Sequence, residues 1–243
     1  MPTGKRQIMA KIKGDAVRIQ TSILNAAEKK VLVWLAQRQP HWVTSDLLTL
    51  IGTLGAVVIA TGYILSARNI NFLWLSSLGF LINWYGDSLD GTLARVRNTQ
   101  RPIYGYYIDH TMDAICEVII AIGIGLSGLV SLSLALMVII GYLLLTINVS
   151  INAHLKKEFL LTYFGLGPTE FRLIMILVNT VFIIFPSMAS FQGLIAIGDT
   201  WVAYKAMDVV AAVILAILLI IYTVTVVKDA RDYAKRDPLP KRE

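Results

Sequence analysis

The stretch Asp87-Ser-Leu-Asp90-Gly91-Thr-Leu-Ala94-Arg95 is followed, after nine residues, by Gly105-Tyr-Tyr-Ile-Asp109-His110-Thr-Met-Asp113. In an α-helix, residues three and four apart share a face. Asp87, Asp90, Gly91 and Ala94 therefore form one stripe, and Gly105, Asp109, Asp113 and Glu117 form another. Both stripes lie at the ends of apolar runs long enough to cross a bilayer. A charged side chain at the bilayer centre costs about 2.5 to 3.5 kcal/mol even on the mildest scale. Four carboxylates near one level therefore imply a compensating cation.

The sequence around this stretch is that of a membrane protein. Of 243 residues, 56% are hydrophobic and 16% charged. Apolar runs lie at roughly 47–66, 71–86, 105–127, 130–150, 171–190 and 207–227, each near the ~20 residues that span the hydrocarbon. Ahead of them, from about 16 to 38, apolar residues such as Val17, Ile23, Val31 and Leu35 alternate with charged ones. That pattern predicts an amphipathic helix in the membrane interface, with Trp34 and Trp42 at headgroup depth. The predicted fold is all-α and integral to the membrane. It has six transmembrane helices, the interfacial helix and a charged tail over 228–243, all in one domain.

The basic residues give the orientation. With both termini cytoplasmic, all but Arg68 and Lys205 of the 22 Lys and Arg fall on the inner side, as the positive-inside rule requires. The net charge of +6 is this same asymmetry and is no argument for nucleic acid. No cleavable signal peptide is expected, because the first apolar run follows a long charged segment. The single cysteine, Cys116, excludes an internal disulfide or a thiolate metal cluster.

Several local features are also predicted. Thr44 or Ser45 caps the first span, and Thr169 caps the fifth. Pro102, Tyr104 and Gly105 mark a hinge between the two motif helices, Gly105 allowing a close crossing. The segment 186–204 is an outer loop or a re-entrant piece. Converging carboxylates make a hard, oxygen-rich site suited to Mg²⁺ or Mn²⁺. Gly91 and Ala94 leave room for a flat ligand, and Arg95 can bind a phosphate.

The eight fixed residues from Asp87 to Asp113 resemble the signature of the CDP-alcohol phosphotransferase family. The six-span layout and the N-terminal helix are similar to that family as well. The resemblance implies transfer of a substituted phosphate from a CDP-activated donor to an acceptor hydroxyl, with release of CMP, in phospholipid synthesis. It implies Asp87, Asp90, Asp109 and Asp113 as metal ligands, with Asp113 also the base on the acceptor hydroxyl. Asp87, Gly91, Ala94, Arg95 and Thr49 would receive the nucleotide. Asp46 departs from the Asn of a Pro-Asn-x-x-Thr element common in the family. A homodimer is a further expectation of the resemblance.

The acceptor is less legible. The favoured reading is phosphatidyl transfer from CDP-diacylglycerol to a small polar alcohol. His110, together with Thr169-Glu170, resembles the choline and ethanolamine phosphotransferase branch, whose acceptor is diacylglycerol; eukaryotic members of that branch carry extra spans. His154, Lys156, Lys157 and Arg172 flank the cytoplasmic mouth, where they suit an acceptor phosphate or lipid headgroups. Two other classes also use intramembrane carboxylates. An intramembrane prenyltransferase spaces its aspartates differently, and a cation transporter needs carboxylates reached from both sides. Asp199 and Asp208 fall on the outer side, apart from the site.

Overall fold

The computed structural model describes residues 17–19, 25–156, 158–160 and 168–239. Its helices are α1 (Asn25–Gln37), α2 (Ser45–Ser66), α3 (Leu73–Arg97), α4 (Pro102–Leu126), α5 (Leu132–Lys156), α6 (Pro168–Ile184), the short α7 (Pro186–Ala189) and α8 (Ala206–Arg236). Strands β1 (Val17–Ile19) and β2 (Glu158–Leu160) pair in parallel, and β3 (Gln192–Ile197) and β4 (Thr200–Lys205) form an antiparallel hairpin. Six long helices lie on the six apolar runs. Three of them, α2, α5 and α8, are long and apolar enough to cross a membrane. The predominance of helix and the apolarity of these three fit an all-α membrane protein.

Four boundaries differ from the sequence reading. Of the helix predicted over 16–38, Asn25–Gln37 is helical, Val17–Ile19, with its alternating β-branched pair, is the strand β1, and residues 16 and 20–24 lie outside the described residues. The fifth apolar run stops at Ile184, since Pro186 cannot continue a helix. The segment beyond is a hairpin with the two-residue turn Gly198-Asp199, Gly198 taking φ +60°. Pro102 stands at the first position of α4, where its missing N–H costs nothing. Tyr104 and Gly105 are therefore helical. The turn before them is set by Asn98, left-handed at φ 55°, which closes α3.

The core lies where α2 crosses α3. Gly52 and Gly55 on α2 face Asn83 and Gly86 on α3, and a Cβ on Gly86 would lie 2.2 Å from the Gly52 nitrogen. Gly79 meets Ile59 in the same way, at 2.6 Å. Such contacts let two backbones approach within a membrane. Gly105 takes no part in this: among the described residues, nothing lies within 4 Å of a Cβ built there, so no close crossing with them requires it. Toward one end, Leu48, Leu89 and Leu93 close over Leu32 and Ala36 of α1. Toward the other, Ile59, Tyr63, Phe80 and Phe182 join α2, α3 and α6. There, Tyr63 donates to Asn179 Oδ1 at 2.9 Å, and Asn179 donates to Ser77 Oγ at 3.2 Å. Bonds of this kind hold membrane helices together.

Candidate active site

The α2–α3 crossing presents the end of α3 to α4, and the carboxylates converge there. One oxygen each from Asp87, Asp109 and Asp113 lie within 4.8 Å of one another. Asp90, also expected as a ligand, lines the same small cleft along with Thr49, Asn83 and Cys116. Its carboxyl is held locally: Thr49 donates to Oδ2 at 2.6 Å, and the Gly91 N–H donates to Oδ1. Ser45 donates to the Asp90 carbonyl at 2.9 Å, leaving the α2 cap to Thr44, which accepts from the Leu47 N–H. Thr49, expected as a nucleotide contact, thus steadies an aspartate. The exposed Asp46 lies beside it in the first turn of α2.

A cation reaches the cluster from a third helix. Arg172 of α6 donates from an Nη to Asp87 Oδ2 at 2.5 Å and from Nε to Asn83 Oδ1 at 2.9 Å. Asn83 in turn donates to the Gly52 carbonyl at 2.9 Å, so the glycine seam and the site share one side chain. Asn83 was not singled out in the sequence. Its signal was an amide in an apolar span one turn before Asp87. One turn beyond Asp113, Glu117 carries a buried Oε2 with no hydrogen-bond partner among the described residues.

Arg95 donates to Thr92 Oγ1 at 2.9 Å, and its guanidinium lies 3.4 Å from a Cβ built on Gly91. A side chain at 91 would press on that guanidinium. Gly91, Ala94 and Arg95 continue the face that carries Asp87 and Asp90. On α4, the His110 ring stacks on Tyr106 at 4.1 Å, with Nδ1 3.5 Å from Asp109 Oδ2. His110 and His154 line a largely apolar groove between α4 and α5 that does not include Arg172. Glu170 is buried in the first turn of α6. The adjacent Thr169 donates to Glu28 Oε1 at 2.5 Å, and Trp84 donates to the same oxygen at 2.8 Å. Lys157 lies outside the described residues, as does the side chain of Lys156. Asp208 caps α8 and binds Ser131, away from the cluster.

The donor set fits a divalent cation. Three carboxylate oxygens within bonding reach of a common point are hard ligands of the kind Mg²⁺ and Mn²⁺ take. Grouped carboxylates repel one another unless cations offset them.

No family model matches the chain. Over 96 residues it is 36% identical to cholinephosphotransferase 1 of Danio rerio, a stretch that is 37% of this chain and 25% of that protein. The chain thus spans about a quarter of this relative's length.

Proposed function

We propose, from the membership of the CDP-alcohol phosphotransferase family that this partial match supports, that the chain transfers a substituted phosphate from a CDP-activated donor to an acceptor hydroxyl, releasing CMP. The favoured reaction is phosphatidyl transfer from CDP-diacylglycerol to a small polar alcohol. The observation that carries the proposal is the convergence of Asp87, Asp109 and Asp113 beside Asp90 at the junction of three helices.

In this reading the acceptor oxygen bonds to the donor's β-phosphorus, the bridging P–O bond breaks, and the electron pair leaves with CMP. The hydroxyl proton passes to the Asp113 carboxylate. Asp87, Asp109 and Asp113, with Asp90 in the same cleft, would hold a divalent cation, which would supply positive charge to the pyrophosphate and to the departing CMP. Gly91 and Ala94 leave the α3 surface open for the cytidine half, and Arg95 supplies a guanidinium to its phosphate. His110 and Glu170 are held as acceptor-side residues. The proposed topology has six spans with both termini cytoplasmic, a reading supported by the placement of nearly all Lys and Arg on one side. The active site then opens where soluble nucleotide meets lipid.

The test is CMP release by the full chain in lipid nanodiscs, with and without Mg²⁺ or Mn²⁺. CDP-diacylglycerol with polar alcohols is compared with CDP-choline or CDP-ethanolamine plus diacylglycerol. Metal-dependent release with the first donor is expected. Release confined to the second donors would overturn the favoured direction, and absence of release with either would count against the activity.

A further inference from the structure

We infer that Arg172 competes with the divalent cation for Asp87, and that Glu117 is the partner to which the arginine moves when it yields. The inference rests on the proposed metal-binding reading of the carboxylate cluster. Asp87 has two claims on it. Its carboxylate offers an oxygen to the group formed with Asp109 and Asp113, and its Oδ2 already accepts from Arg172 at 2.5 Å. A divalent ion there and a guanidinium on the same carboxylate repel each other at short range, in surroundings that screen poorly. Binding one therefore weakens the hold of the other.

Arg172 is built to move between partners. Its Nε is held by Asn83, a neutral amide, so one anchor persists when the charged one is given up. The arginine comes from α6, whereas the carboxylates sit on α3 and α4, so it can shift without disturbing Asp109 or Asp113. Glu117 provides the destination. It stands on α4 one turn beyond Asp113, which belongs with Asp87 to the carboxylate group, and its buried Oε2 has no hydrogen-bond partner among the described residues. A buried carboxylate oxygen left unmatched is costly, and a guanidinium arriving from Asp87 satisfies it. Arg172 is then a positioning residue that sets how tightly the site takes its metal.

The experiment measures Mn²⁺ binding by the full chain in nanodiscs, through the electron paramagnetic resonance of free Mn²⁺, alongside thermal melting. Arg172→Gln is expected to tighten Mn²⁺ binding by about five-fold or more. It should lower the melting temperature without Mn²⁺ and enlarge the upward shift that Mn²⁺ produces; an arginine with a structural role alone would lower both melts equally. Glu117→Gln is expected to weaken Mn²⁺ binding, and by less when combined with Arg172→Gln, because the destination matters only when the arginine is there to use it. Unchanged or weaker binding in Arg172→Gln overturns the inference while leaving the metal site intact. If that variant does not fold, Arg172→Met, which keeps an unbranched side chain but removes the charge that pairs with Asp87, must shift affinity in the same direction, and unchanged affinity there overturns the inference too. Absence of Mn²⁺ binding by the unaltered chain overturns the metal reading itself.

Discussion

Helices α2 and α8 are both apolar enough to cross a membrane, but they are used in opposite ways. In the most apolar 18 residues of α2, 44% are buried inside the protein; in α8, the more apolar of the two, none are. Hydropathy therefore ranks contact with lipid, and contact with protein follows another rule. Lipid tails are as apolar as leucine, so helices associate in a membrane through close backbone approach and polar bonds. Helix α2 has both, with Gly52 and Gly55 against α3 and Tyr63 donating to Asn179. Helix α8 contains no glycine. Its polar links to the rest of the protein include Asp208 at one end and, toward the other, Asp229, which accepts from Asn152 at 2.6 Å, and Tyr233, which donates to Asn152 Oδ1 at 2.6 Å.

The chemistry should follow the same division, and the largest expected effect tests it. Asp113→Asn removes the proposed base and a proposed ligand while keeping the side chain's shape. CMP release should fall by about 10²- to 10⁴-fold, with the melting temperature held within a few degrees. Val224→Ala, at a residue 62% exposed on α8, should leave turnover where it was. Undiminished turnover in Asp113→Asn would detach the carboxylate cluster from the reaction.

A smaller effect is expected from the seam itself. Gly86→Ala would drive a Cβ to 2.2 Å from the Gly52 nitrogen and 2.4 Å from the Leu48 carbonyl oxygen. These are backbone atoms, which cannot rotate away. Overpacking of this kind costs about 1 to 3 kcal/mol, and the spreading of α2 from α3 would carry Asn83 and Asp87 with it. Both thermal stability and Mn²⁺ affinity should drop. Preserved stability would mean that the helices can separate freely, and that small residues do not set the core.

What was legible in the sequence divides along similar lines. The convergence of Asp87, Asp109 and Asp113 could be read because spacing along a helix fixes a face locally, and apolar runs located the long helices. In the sequence Arg172 reads as a mouth residue suited to an acceptor phosphate or lipid headgroups; its bond to Asp87 joins residues 85 apart, which no local pattern encodes. The glycine seam is not legible from spacing within one helix, because Gly52-x-x-Gly55 meets Gly79 and Gly86 only once α2 packs on α3; at Gly105, beside the motif, a Cβ meets no atom of the described residues within 4 Å. The hairpin did have a signal, the Gly198-Asp199 pair between strand-forming residues. Apolarity on both sides hid it among membrane segments. At the N-terminal end, the alternation of charged and apolar residues predicts helix through Val17 and Ile19, where the β-branched pair forms β1 instead.

The smallest expected effect is the sharpest control on the comparison. Gly141 lies on α5 facing α8, and a Cβ there would meet Leu215 Cδ1 at 3.6 Å and Leu218 Cβ at 3.7 Å. Those are ordinary contacts with side chains that can adjust. Glycine in a helix interior is less favourable than alanine by about 0.5 to 1 kcal/mol. Gly141→Ala should therefore leave stability unchanged or raise it by up to about 1 kcal/mol, the opposite sign to Gly86→Ala in the same detergent and the same melt. The two substitutions add the same methyl group to a glycine in an apolar helix, so any difference between them reports the partner surface alone. A loss at Gly141 matching that at Gly86 would show that α5 and α8 are packed as closely as α2 and α3. Helix α8 would then be part of the protein's core, and burial would no longer separate the half that holds the carboxylate cluster from the half with exposed apolar helices.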